Sequence, residues 1–186
     1  MKIAILDRDG TLNALGNEYI ATPDEWIPIP GSLEAIAQMT NAGIQIGVAT
    51  NQRGIFLGLY GHTELSEMHD KMQRLLKEMG GEIHAIELCT ADDEAHPDRK
   101  PNPGMLLKII QQLNTPQDTP IYFVGDKTSD IEAAINAGVI PVLVRTGNGE
   151  KSEEKLQSIA QISRTQPTLV FDDLAAFAHT LLSTHK

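Results

Sequence analysis

Asp7 and Asp9 stand two residues apart in the segment Lys2–Leu12, KIAILDRDGTL, directly after the apolar run Ile3-Ala4-Ile5-Leu6. Two carboxyl groups at that spacing, just past a strand of this kind, limit what the protein can be. Other chemistry-bearing residues come in short clusters: Thr50-Asn51-Gln52-Arg53, Arg99-Lys100-Pro101, and Gly125-Asp126-Lys127 with Asp130. Taken singly, each is an ordinary cap, turn residue or solvated charge. Gathered in one crevice, they supply three or four carboxylates, a hydroxyl and a lysine. Crowded carboxylates repel one another unless a cation joins them, and hard oxygen donors select Mg²⁺. Mg²⁺, a carboxylate nucleophile, a second carboxyl group and cationic donors are the requirements of phosphoryl transfer. A calcium loop fits poorly, because its sixth position needs glycine and here holds Leu12.

Those residues can meet only if the fold carries them to one place. Ile3–Leu6 lacks polar alternation, which suits a strand buried on both faces of a parallel sheet. Such a sheet binds ligands beyond the carboxyl ends of its strands, where Asp7 falls. Gly10 permits the tight reversal that brings Asp9 back toward the same space. Further runs of strand length are Ile44–Ala49, Ala85–Leu88, Ile121–Val124, Val139–Val144 and Thr168–Phe171. Helical periodicity separates them. It is carried by Leu33, Ile36, Ala37 and Met39; by Leu65, Met68, Met72, Leu75, Leu76 and Met79; by Met105, Leu106, Ile109, Ile110 and Leu113; and by Ile131, Ala134 and Ile135. Gln157–Ile162 and Leu174–Leu182 also read as helices, the second capped by Asp172. The alternation predicts an α/β fold, a three-layer Rossmann-like parallel sheet with right-handed crossovers. Asn13–Ile29 reads as an irregular flap over the strand ends, and Thr146–Glu154 as a mobile polar loop. His62, His69 and His84 read as surface or helix-face residues.

The 186 residues suit one domain spanning 1–186. No stretch approaches a membrane span, and no basic or apolar leader precedes Ile3, so a cytoplasmic protein is expected. The single cysteine, Cys89, suits a reducing compartment. A net charge of −10 argues against nucleic acid or an anionic membrane as partner. It leaves room for an anionic small molecule, provided positive charge gathers locally; Arg8, Arg53, Arg99, Lys100 and Lys127 are expected to provide it.

In order and spacing, the four clusters resemble the motifs of the haloacid dehalogenase (HAD) superfamily of phosphohydrolases: DRDGT, Thr50, Lys100 and GDKTSD. VATNQRGI, RKPNPGML and VGDKTSDIEAAINAG narrow the likeness to the branch that holds heptose 1,7-bisphosphate 7-phosphatases and histidinol-phosphate phosphatases. That likeness covers Lys2 to about Thr146 and implies a HAD-like fold. It implies Asp7 as nucleophile, Asp9 as acid and base, and Thr50 and Lys100 as donors to the phosphoryl oxygens. Mg²⁺ would be held by Asp7, the main-chain carbonyl of Asp9, Asp126 and Asp130. Asn51, Gln52, Arg53, Arg99 and Lys127 fall at substrate-contacting positions. The implied substrate is a small sugar bisphosphate, with histidinol phosphate or another small phosphomonoester as the alternative and a catalytically silent phospho-ligand binder as the rival class; a monomer is expected. Relatives carry a zinc loop of three cysteines and a histidine before RKP. Here only Cys89 and His96 remain, with Ala91 and Asp98 in the other places, so zinc is not expected. The intervals Thr11–Thr50 and Asn51–Arg99 are too short for a separate lid, which predicts a capless enzyme with an open site.

Overall fold

The computed structural model describes residues 2–16, 19–156 and 167–183. Among these residues, six strands form one sheet: β1 (Ile3–Leu6), β2 (Gln45–Asn51), β3 (Ala85–Cys89), β4 (Ile121–Gly125), β5 (Ile140–Val144) and β6 (Leu169–Phe171). Their order is β3-β2-β1-β4-β5-β6, and every neighbouring pair is parallel. The helices are α1 (Ser32–Asn41), α2 (Arg53–Phe56), α3 (His62–Glu78), α4 (Gly104–Gln112), α5 (Thr128–Ala137), α6 (Gly149–Glu153) and α7 (Leu174–Ser183). The helix expected over Gln157–Ile162 lies outside the described residues.

All four residues of β1 are fully buried, which explains why the run has no polar alternation. Ala4 and Leu6 face a core built with α1, α3 and α7 through Leu33, Met68, Met72 and Phe177. Ile3 and Ile5 face the opposite core, built with α4 and α5 through Met105, Ile109 and Ala133. These are the three expected layers. The methionines of α3 fill core space as soft side chains do, except that Met79, at the end of the stripe, is exposed.

Strand order reverses between β1 and β4, with β2 and β3 on one side of the pair and β5 and β6 on the other. Crossover connections diverge at such a point and leave a crevice beyond the strand ends. Leu6 is in register with Val48 on one side and Val124 on the other. Asp7, Thr50 and Asp126 therefore emerge from three adjacent strands. Among the described residues, no second folded unit is inserted over this end. The Asn13–Ile29 flap does lie close to it. Its Trp26 is fully buried, and the ammonium of Lys71 on α3 ties it down through the carbonyls of Pro23 and Trp26 at 2.7 and 2.9 Å.

Thr146–Glu154 is not the mobile loop expected. It contains α6, and Arg145 clamps it by donating to both carboxylate oxygens of Glu153 at 2.7 and 2.8 Å. The cap of α7 is Asp173, whose Oδ1 accepts the Ala176 N–H at 2.8 Å; Asp172 pairs with Arg145 instead.

Candidate active site

β1 delivers Asp7 to the crevice, its N–H held by the Val124 carbonyl at 2.8 Å. The chain then reverses through Gly10, whose φ of 92° is open chiefly to glycine. A side chain there would also collide with the Asp126 carboxylate. β4 ends in Gly125 and presents Asp126. One turn later Asp130 Oδ2 accepts the Lys127 N–H at 3.0 Å, which fixes the start of α5 and leaves Oδ1 turned to the crevice. Lys100 comes from the loop before α4, and Asn51 at the end of β2 grips its backbone on both sides. The Asn51 Nδ2 donates to the Lys100 carbonyl at 3.2 Å, and its Oδ1 accepts the Lys100 N–H at 3.1 Å.

The result is a buried charge cluster. Lys100 Nζ lies 2.7 Å from both Asp7 Oδ1 and Asp130 Oδ1, and also donates to the Ala49 carbonyl at 3.0 Å. Asp7, Asp126 and Asp130 each offer a carboxylate oxygen within 4.8 Å of the others. Burial alone would raise Asp7, but Lys100 and Lys127 hold its carboxyl below the usual range. Burial pushes Asp126 up to about 7; Lys127 opposes this, while Asp7 and Asp130 add to it. Burial likewise raises Asp130, against the pull of Lys100. Burial disfavours the charge on Lys100, yet Asp130 and Asp7 more than offset it and raise its pKa.

Three carboxyl groups thus face two ammonium groups, so acids outnumber the cations beside them. Asp126 Oδ2 accepts from the backbone and side-chain nitrogens of Asn148 at 2.8 and 3.1 Å, while its buried Oδ1 has no hydrogen-bond partner among the described residues. An orphaned buried carboxylate oxygen beside two further carboxylates is a hard-oxygen donor set that fits Mg²⁺.

The second carboxylate of the opening motif is arranged differently. The Asp9 side chain is not among the three clustered carboxylates. Arg8 grips it from Nε to Oδ1 at 2.9 Å and from Nη2 to Oδ2 at 3.0 Å, and Gln52 Nε2 donates to Oδ2 at 3.0 Å. Thr50, 1% exposed, accepts from the same Gln52 nitrogen at 2.9 Å.

Arg8 and His69 lie deeper than the sequence suggests. Arg8 is completely buried, so it adds nothing to a cationic pocket facing solvent. Its remaining nitrogen meets His69 Nε2 at 3.4 Å; His69 lies on a helix, α3, within the expectation, but its face is buried, whereas His62 and His84 are exposed. Gln52, placed by sequence among the substrate contacts, has both ends of its amide engaged by protein: Nε2 as above, and Oε1 by Arg8 at 3.2 Å and the Tyr60 hydroxyl at 2.5 Å.

A tight cleft touches Asp7, Asp9, Lys100, Lys127, Ser129 and Asp130. It shares Asp9, Asn51 and Lys127 with a larger cavity of about 220 Å³. Arg53, Arg99 and Lys127 make that cavity cationic; Tyr19 and Ile20 from the flap and Tyr60 give it apolar surface. Arg53 is ion-paired with Asp92, and Arg99 Nη1 donates to the Ala91 carbonyl at 2.7 Å. Tyr19, Tyr60 and Asn148 carry no sequence signal that would single them out; only the fold brings them here. Away from the crevice, Cys89 Sγ and His96 Nδ1 approach to 3.7 Å, and the Asp98 carboxylate is taken by Lys108 at 2.5 Å. Asp98 is therefore engaged elsewhere.

A family model described as HAD-hydrolase-like matches residues 98–177, which carry Lys100, Asp126 and Asp130. The chain is 45% identical over 183 residues to a D-glycero-beta-D-manno-heptose-1,7-bisphosphate 7-phosphatase of Pseudomonas putida, covering 98% of this chain and all of the relative. It is 44% identical to the same-named protein of Pseudomonas aeruginosa, covering 97% of each. Among solved structures, D,D-heptose 1,7-bisphosphate phosphatase from B. bronchiseptica complexed with magnesium and phosphate superposes with a TM-score of 0.88 at 42% identity, covering 99% of both chains.

Proposed function

The chain belongs to the D-glycero-beta-D-manno-heptose-1,7-bisphosphate 7-phosphatases among the HAD-like hydrolases, and we propose that it removes the 7-phosphate of that sugar bisphosphate through a phosphorylated Asp7. One observation carries the chemistry: Asp7, Asp126 and Asp130 converge at the switch point, with Lys100 joining Asp7 and Asp130, beside a cavity lined by Arg53 and Arg99. Asp7, Asp126, Asp130 and the main-chain carbonyl of Asp9 would hold Mg²⁺. When bound, the ion stabilises negative charge on the phosphoryl oxygens.

Asp7 stays ionised at neutral pH because Lys100 and Lys127 favour its charge over the cost of burial. An Asp7 oxygen forms a bond to phosphorus as the bond from phosphorus to the sugar oxygen breaks. Asp9, protonated, gives its proton to that departing oxygen. In the second half-reaction a water oxygen attacks the same phosphorus, Asp9 takes the water proton, and the bond to Asp7 breaks. Inorganic phosphate leaves and both carboxyl groups return to their starting states. Thr50 and Lys100 donate to the equatorial phosphoryl oxygens, and Asn51 holds Lys100 in place to do so.

Arg53, Arg99 and Lys127 suit a substrate that carries a second phosphate, because a guanidinium fork can hold a phosphate in two hydrogen bonds. Within this reading the enzyme is one unit over residues 1–186, acts as a cytoplasmic monomer, folds without zinc, and has no nucleic-acid or membrane partner. Among the described residues, no helix is long and apolar enough to cross a membrane. Phosphate release from the heptose 1,7-bisphosphate, histidinol phosphate and a 3′-phosphorylated oligonucleotide tests the assignment. The heptose should give the highest kcat/KM; a higher value for either of the others overturns it.

A further inference from the structure

Arg8 is a fully buried cation on the strand-end turn, and burying a charge is costly unless every donor is satisfied. Among the described residues, the one carboxylate it touches is Asp9, held in a fork. Its remaining partners are neutral and come from remote parts of the chain: Gln52 Oε1 at the end of β2, and His69 Nε2 on α3. His69 accepts from Arg8, so its ring is neutral and carries its proton on Nδ1. Burial, with Arg8 adding to it, lowers His69 to about 4 and keeps that state through neutral pH. Gln52 closes the network by donating to Asp9 Oδ2 and Thr50 Oγ1, while Tyr60 donates to Gln52 Oε1.

Asp9 therefore accepts three hydrogen bonds from two side chains that are themselves held. A carboxylate offers about four acceptor positions, so one remains for the proton exchanged with substrate or water. An arginine needed only to fill space would not require a histidine acceptor 61 residues away.

We propose that Arg8, seated on His69 and Gln52, is the positioning residue that fixes the Asp9 carboxyl for proton transfer, with His69 as the support that sets Arg8. This rests on the reading of Asp9 as the acid and base of the phosphatase. Catalysis by a positioned acid depends on its placement, and a small displacement is costly in rate. The burden falls on substrates whose leaving oxygen needs a proton. A p-nitrophenolate leaves without one.

The test compares kcat/KM for the heptose bisphosphate and for p-nitrophenyl phosphate. That quantity reports steps up to phosphorylation of Asp7 and is insensitive to the later hydrolysis. His69→Leu removes the acceptor, His69→Gln keeps an oxygen that Arg8 can reach, and Arg8→Lys keeps the charge without the fork. Asp9→Asn serves as the reference. His69→Leu and Arg8→Lys should each lower kcat/KM for the sugar about 10- to 100-fold, but for p-nitrophenyl phosphate no more than about threefold. His69→Gln should recover most of the sugar activity. Should His69→Leu not fold, Arg8→Lys against wild type and His69→Gln decides the question by the same ratio. Equal losses on both substrates, with Asp9→Asn still selective for the sugar, would reduce the network to structural support and overturn the proposal. An Asp9→Asn enzyme with no leaving-group selectivity would instead overturn the assignment of Asp9 on which the proposal rests.

Discussion

Replacing Lys100 with methionine should unfold much of what the charge cluster contributes, and the size of the effect follows from the geometry. Lys100 Nζ is 2.7 Å from two carboxylates, and all three side chains are at most 4% exposed, so solvent screening is slight. At an effective dielectric constant of about 20, each contact is worth about 6 kcal/mol of attraction. Desolvation of buried ions takes back several kcal/mol apiece, and breaking such a pair by deleting one partner costs about 3–5 kcal/mol. In the variant, Asp7 and Asp130 are left facing each other. Oxygens as far apart as 4.8 Å still repel by about 3 kcal/mol at the same dielectric constant. That repulsion is relieved by protonating one carboxyl or by binding a cation. Urea unfolding in chelator at pH 7 should therefore show a loss of about 3–5 kcal/mol. The loss should shrink toward pH 5 and on addition of Mg²⁺, while phosphate release stays lower by a factor of about 10³ or more because a donor to the transition state is gone. A loss below about 1 kcal/mol in chelator, unchanged by pH or Mg²⁺, would refute the claim that Lys100 neutralises this cluster.

Four further outcomes are expected. Asp7→Asn should remain folded and lose phosphate release; activity within about tenfold of wild type would defeat the covalent mechanism. Arg99→Ala should raise KM for a bisphosphate by roughly one to two orders of magnitude while hardly changing hydrolysis of a small monophosphate, since a lost charge-assisted bond costs about 1.5–3 kcal/mol. Chelation should abolish turnover and Mg²⁺ restore it; elemental analysis finding about one zinc per chain would contradict folding without that metal. His69 has a folded-state value of about 4 against an unbound value of 6.5, so the unfolded chain binds more protons between those limits. Its neutral burial thus stabilises the protein above pH 6.5, and that stability falls away as pH drops toward 4, by about 3 kcal/mol in all. Asp126, raised to about 7, acts in the opposite sense in metal-free protein, so the difference between wild type and His69→Gln is the quantity to follow across pH 4–7.

Much of the fold was legible in the chain because its signals are local. Ile3–Leu6 and the other strands announce themselves as apolar runs, and the stripe from Leu65 to Leu76 as a helix of period 3.6. Parallel strands put Asp7, Thr50 and Asp126 at one end, so the reactive cluster followed from position along each strand. What the chain did not disclose depends on partners distant in sequence. Arg8 looks like a surface charge until α3 brings His69 and β2 brings Gln52 against it. Thr146–Glu154 is polar enough to read as a free loop. Yet Thr146 Oγ1 donates to the Gly10 carbonyl at 2.7 Å and Asn148 to Asp126, so tertiary hydrogen bonds order what hydrophobic pattern cannot. Choosing Asp172 over Asp173 as the α7 cap failed for a similar reason: both are suitable caps, and Arg145, 27 residues away, takes one of them. Residue type and strand position determined which groups could react. The third dimension decided which of them are buried, which are paired, and which are left with an oxygen free for a metal.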